Sequence, residues 1–143
     1  MKKIYILLLF AGGIYYAYEQ SQVVPSPERA NAVAVLAQSS TFDRRHAGRQ
    51  VRGEGVVSRV LADDDNGSRH QRFILKLVSG QTLLIAHNID LAPRIGGLRV
   101  GDTVAFNGEY EWNDKGGLVH WTHHDPQGSH PGGWLEHNGR RYE

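Results

Sequence analysis

Cysteine is absent from the 143-residue chain. That removes disulfides, thiolate metal sites and a cysteine nucleophile together. An excess of charge of either sign is also missing: 16 Lys and Arg stand against 15 Asp and Glu, a formal net charge of +1. No whole-molecule field therefore argues for nucleic acid or an anionic membrane as partner. Long apolar runs are missing too, with one exception at residues 4–18, IYILLLFAGGIYYAY, directly behind Lys2 and Lys3. The run is shorter than the about 20 residues of a spanning helix, but a charged start and a short apolar core are the marks of an export signal. No A-x-A-like cleavage site follows, and Tyr15, Tyr16 and Tyr18 suit the interface end of an uncleaved anchor. Residues 1–18 are therefore expected to be a signal peptide or a membrane anchor.

Residues 19–49 read as linker and short helix. Ser26, Pro27 and Glu28 supply an N-cap, a first-turn proline and a first-turn acid, opening an Ala-rich helix to about residue 39. Arg44, Arg45, His46, Arg49 and Arg52 follow as a basic stretch, read as solvated or as a contact to anionic lipid or polyanion.

From residue 50 to 143 the apolar period is two and turn residues recur at short intervals, the pattern of a small all-β domain. Strands are expected over 50–62, 71–78, 82–87, 104–112 and 118–124, with Gly53 and Gly55 marking a bulge or coil in the first. The fourth carries Val104, Phe106, Tyr110 and Trp112 on one face and Asn107, Glu109 and Glu111 on the other. Five strands with a longer connector after the third fit an OB-like barrel, although register is not readable from sequence. Asn138-Gly139 predicts a C-terminal hairpin over 134–142 that covers a barrel edge. The fold class is thus mainly β: a five-stranded OB-like barrel and a C-terminal hairpin, preceded by the signal or anchor helix and a short α-helix.

Half of the eight histidines lie in residues 118–130, LVHWTHHDPQGSH. Alternation sets Val119, Trp121 and His123 on one face of the fifth strand and His120, Thr122 and His124 on the other. With Val119 and Trp121 in the core, His120 and His124 point outward beside Glu109 and Glu111 of the preceding strand. Imidazoles with carboxylates are ligand types for zinc or a similar divalent ion, so the expected metal set is His120, His124, Glu109 and His130, the last folding back past its Pro-Gln-Gly turn. Glu109 and Glu111 are the candidate catalytic carboxylates. His87, Asn88, Asp90, His70 and Asn107 are further candidate ligand-binding residues at strand ends and on the polar face. No H-E-x-x-H and no nucleophile motif such as G-x-S-x-G is present, and Asp63–Asp65 lacks the rest of a calcium loop. The competing reading is structural: Asp125 holds its turn, and His123 donates to a carbonyl while its ring packs. Trp112, Trp121 and Trp134 pack the core, or stack on bases or sugars as OB-fold aromatics do.

The segments HQRFILKL (70–77), LLIAHNIDLAPR (83–94), GDTVAFNGEYEWNDKGG (101–117), HWTHHDP (120–126) and GWLEHNGRRY (133–142) resemble the bacterial family known as domain of unknown function 3465. The resemblance covers more than half the chain. It implies a small OB-like barrel and an exported bacterial protein; with residues 1–18, the expected place is the periplasm, or the inner membrane facing it. It brings no activity and no catalytic residue.

Two function classes stay open. One is a binding module presenting a His/Glu-rich patch to an envelope ligand or a divalent metal ion such as zinc. The other is a metal-dependent hydrolase of phosphodiesterase or nuclease type, in which Glu109 or Glu111 activates water. A single-stranded nucleic-acid-binding OB domain is weaker, because export removes most nucleic acid and net charge is small.

Overall fold

The computed structural model describes residues 41–143. The expected signal or anchor segment, most of the linker and the Ala-rich helix lie outside the described residues. Among the described residues no helix is long and apolar enough to cross a membrane.

Seven strands follow in chain order: β1 Arg49–Val60, β2 His70–Lys76, β3 Thr82–Asn88, β4 Thr103–Glu111, β5 Leu118–His120, β6 Trp134–His137 and β7 Arg140–Tyr142. The first five pair in the order β1-β2-β3-β5-β4, and β4 returns to β1 and closes the barrel. Every pairing is antiparallel except β3 with β5. This is the five-stranded OB-like barrel expected from the sequence, now with its register. The bulge in β1 falls between Val57 and Arg59, where the pairing with β2 shifts, and not at the glycine pair. Gly53 serves a different end: a Cβ there would stand 2.8 Å from Cζ of Phe106, so its absence lets that ring fill the barrel.

Alternation decides what goes inside. Phe73 and Leu75 of β2, Leu83 and Ile85 of β3, Val104, Phe106 and Tyr110 of β4 and Val119 of β5 are all fully buried. Each such side chain stabilises the fold by roughly 1.5–3 kcal/mol through burial. The ends are plugged from outside the strands. Ile95, from the connector between β3 and β4, is fixed by buried Gln71, which accepts from Ile95 N–H and donates to its carbonyl, both at 2.9 Å. Phe42 packs into the core at the other approach, and Gln81 holds its backbone from both sides at 2.8 Å.

The basic stretch is locally organised: Asp43 accepts from Arg45 and caps the 3-10 turn Arg44–His46, while Arg44 lies 3.8 Å from the ring centroid of Trp112. Trp112 stands beyond the end of β4 and is 37% exposed, not core. The C-terminal hairpin forms as expected. Asn138 and Gly139 both take positive φ, 51° and 72°, and β6 lies along β4 with Leu135 opposite Phe106.

Candidate functional site

The register builds one polar row across the outside of the barrel. Gln50 of β1 stands opposite Glu109 of β4, Glu109 opposite His120 of β5, and Arg72 of β2 opposite Ala86 of β3. Since Ile85 pairs with Val119 in parallel, Ala86 and His120 are the next residues along on both strands. Each of these positions stands next to a buried core residue of its own strand, Val51, Tyr110, Val119, Phe73 or Ile85, so the side chains in the row point out.

At its centre, His120 Nε2 lies 4.0 Å from Glu109 Oε1 and 3.7 Å from Glu111 Oε1. These distances exceed a hydrogen bond. His120 Nε2 is nevertheless shielded from solvent with no hydrogen-bond partner among the described residues. Burial holds the His120 imidazole below its ordinary pKa, although both carboxylates pull the other way. One ligand atom from each of Glu109, Glu111 and His120 lies within 4.8 Å of the others. Gln50 Oε1, from the residue opposite Glu109, is a second shielded acceptor without a partner.

The other oxygen of Glu109 is occupied. His130 Nε2 donates to Glu109 Oε2 at 2.5 Å, and its Nδ1 donates to the Pro131 carbonyl at 2.8 Å. The Glu109 bond raises the His130 pKa, so the pair is held as an ion pair. Asp125 sets the loop that delivers His130. Its carboxylate accepts from the backbone N–H groups of Gln127, Ser129 and His130 at 3.0, 2.7 and 2.8 Å. Those bonds, that to Gln127 foremost, depress the Asp125 pKa to about 2.

The fifth strand is shorter than its alternation predicts, and this rearranges the histidines. β5 ends at His120, and Trp121 takes φ 50°, a left-handed conformation that costs of order 1–3 kcal/mol for a bulky residue. The turn shifts the alternation: Thr122 and His123 are buried, Trp121 is half-buried and His124 is exposed. Trp121 is thus not core. Its ring stacks on His130 with centroids 4.0 Å apart and planes 11° apart, roofing the Glu109 pair. Gly108 makes the shift possible, because a Cβ there would meet the His120 carbonyl at 2.3 Å.

The structure therefore brings Glu109, Glu111, His120 and His130 together and leaves His124 apart. His124 borders a separate open hollow of about 470 Å³ with Trp134 and Glu143. Asn107 lies on the outer face opposite Arg52 and Trp134, one outward position beyond Glu109. His87 lies inside the barrel. It is fully buried, with Nδ1 2.9 Å from Thr122 Oγ1 and Nε2 3.1 Å from the Pro93 carbonyl. Burial lowers its pKa to about 4. Asp90 is spent on Arg69, accepting from its backbone N–H and its guanidinium at 2.8 Å. His70 pairs with Asn88 on the outer face, and both line a hollow of about 200 Å³ with Ala86, Leu91, His120, Trp121 and His123. Sequence reasoning missed Gln50, Ala86 and the Thr122–His87 bond. Only the first two were in principle visible, as outward positions of predicted strands.

Comparison with protein families decides the membership, since the model described as "Protein of unknown function (DUF3465)" matches residues 22–143. The chain belongs to this family. Neither the curated proteins nor the solved structures gave a match. The family model takes in all of the barrel, so its matched region includes Glu109, Glu111, His120 and His130.

Proposed function

We propose that this barrel is a divalent-cation-binding module whose ligands are Glu109, Glu111 and His120. The observation that carries the reading is His120 Nε2, shielded, neutral in tendency and unpartnered, with two carboxylate oxygens aimed near it at distances too long for hydrogen bonds. A buried polar atom left unmatched is costly, and an ion between the three groups would satisfy all of them. Ligands about 2.1 Å from a tetrahedral ion stand about 3.4 Å apart, a modest contraction of the present spacing. One imidazole with two carboxylates suits zinc or manganese. His130 would act behind the site, fixing one Glu109 oxygen so that the other stays toward the ion. In an exported setting, the expected place for this chain, such a module would hold its ion facing the envelope.

Hydrolysis draws less support from the geometry. Glu109 is committed to His130, which leaves only Glu111, half exposed, as a base. The test is calorimetric titration of the full chain, freed of metal, with zinc and manganese, beside His120→Ala and Glu111→Gln. One ion per chain in the parent and at least a tenfold weaker affinity in both variants is the expected result. Equal binding by parent and variants, or none by the parent, would discard this assignment.

A further inference from the structure

The hollow on the outer face of β2 and β3 touches the cation site through His120, and its chemistry is specific. No Lys, Arg, Asp or Glu lines it. The nearby arginines are engaged: Arg69 with Asp90, and Arg72 with the Ala62 carbonyl. No arginine, lysine or carboxylate of the lining would therefore pair with a charged occupant. The hydrogen-bonding groups can be assigned atom by atom. His70 Nδ1 lies 2.8 Å from the Ser68 carbonyl and His123 Nδ1 2.7 Å from the His124 carbonyl. A carbonyl only accepts, so each Nδ1 carries its proton and is spent on that bond, which leaves Nε2 as the ring nitrogen open to an occupant. Asn88 Oδ1 accepts from Asp90 N–H at 3.0 Å, which leaves its amide N–H groups as donors. Ala86 forms a small apolar floor in the polar row, and Leu91, 46% exposed, adds an apolar wall.

Imidazole nitrogens and amide N–H groups around a small, partly apolar hollow without Lys, Arg, Asp or Glu match hydroxyl groups, which both donate and accept, carried on a compact ring. We infer that this hollow binds a neutral pyranose, free or as one residue of a glycan. Its volume of about 200 Å³ lies below the roughly 300–1,000 Å³ of pockets for larger ligands, which limits it to one ring. The inference rests on the cation reading in one respect: vicinal hydroxyls of the sugar would reach the ion held beside His120. A nucleotide fits less well. Neither Arg69 nor Arg72, the arginines beside the hollow, is free to bind a phosphate, and two imidazoles, His130 and His123, already pack on Trp121.

The experiment is saturation-transfer difference NMR and calorimetry on the full chain, with zinc and with chelator. The probes are glucose, mannose, N-acetylglucosamine, the trimer of N-acetylglucosamine and a thymidine oligomer. A sugar is expected to bind, weakened at least tenfold by Ala86→Leu, which fills the floor, and by Asn88→Ala, which removes the donors. Zinc affinity should be unchanged in both variants. Signal from the trimer alone would mark a glycan, and signal from a monosaccharide a free sugar. Shifts of the His70 and His123 ring nitrogens on sugar addition give a readout that does not depend on the variants folding. Zinc bound without any sugar would sink the sugar inference and leave the cation site standing. Sugar bound equally in chelator, by a protein that takes no zinc, would sink the cation site and keep the hollow. Binding of the thymidine oligomer in place of sugar would overturn the inference in favour of nucleic acid.

Discussion

His87 and His130 are the same side chain in opposite circumstances. His87 sits inside the barrel, where burial outweighs its two hydrogen bonds and holds it neutral. His130 sits on the outside, where Glu109 draws it toward the charged form. The interior histidine is part of the packing, joining β3 to the Thr122 turn and to the β3–β4 connector. The exterior one is a charge at the end of a loop, held there by Glu109 and by its stack on Trp121, and its energetic role is small. Histidine clustering along a sequence thus says little about role; the face on which each ring falls decides it.

The largest expected effect breaks the interior side. His87→Ala leaves Thr122 Oγ1 and the Pro93 carbonyl without their partner and opens a cavity, so urea denaturation should show a loss of about 4 kcal/mol. Zinc binding by the folded fraction should persist. Next is the pH dependence of stability. With a folded pKa of about 4 against 6.5 unfolded, the unfolded chain takes up a proton first as the pH falls. The contribution of His87 is full above pH 6.5 and lost progressively down to pH 4, a change of about 3 kcal/mol. Denaturation at pH 7 and at pH 4.5 measures it, and a curve flat over that interval would contradict a neutral buried His87. The smallest effect on stability belongs to His130→Ala. A partly exposed ion pair is worth about 1 kcal/mol or less, yet freeing Glu109 should weaken zinc binding about tenfold. In the parent, the stabilising effect of the pair is full below pH 6.5 and lost as the pH rises through the raised pKa of His130, the reverse of His87.

Much of the barrel was legible because its strands obey a period of two and its turns use Asn-Gly, Ser-Gly and Gly-Asp. Even the inward side of His87 was implicit, since it shares parity with Leu83 and Ile85. The fifth strand was misjudged for a physical reason. The pattern LVHWTHH alternates as well as any strand, and no local signal marks tryptophan for a left-handed conformation. The signal lies across the sheet, in Gly108, and is read only once β4 and β5 are in register. The same holds for the hollow: His70, Asn88 and His120 are far apart in sequence and meet only through pairings that composition does not fix.

Three partners fasten β4, with β1 along one edge and β5 and β6 sharing the other. Inserting or deleting a single residue in this strand would turn Glu109 and Glu111 inward and Phe106 or Tyr110 outward, because none of the three neighbours is free to slide. The loop over 125–130 belongs to no strand pairing, so a change in its length would move His130 without shifting any register. Length variation among relatives should therefore gather in that loop and spare β4, and a designer wishing to alter what the site accepts should graft into the loop and leave the strand untouched.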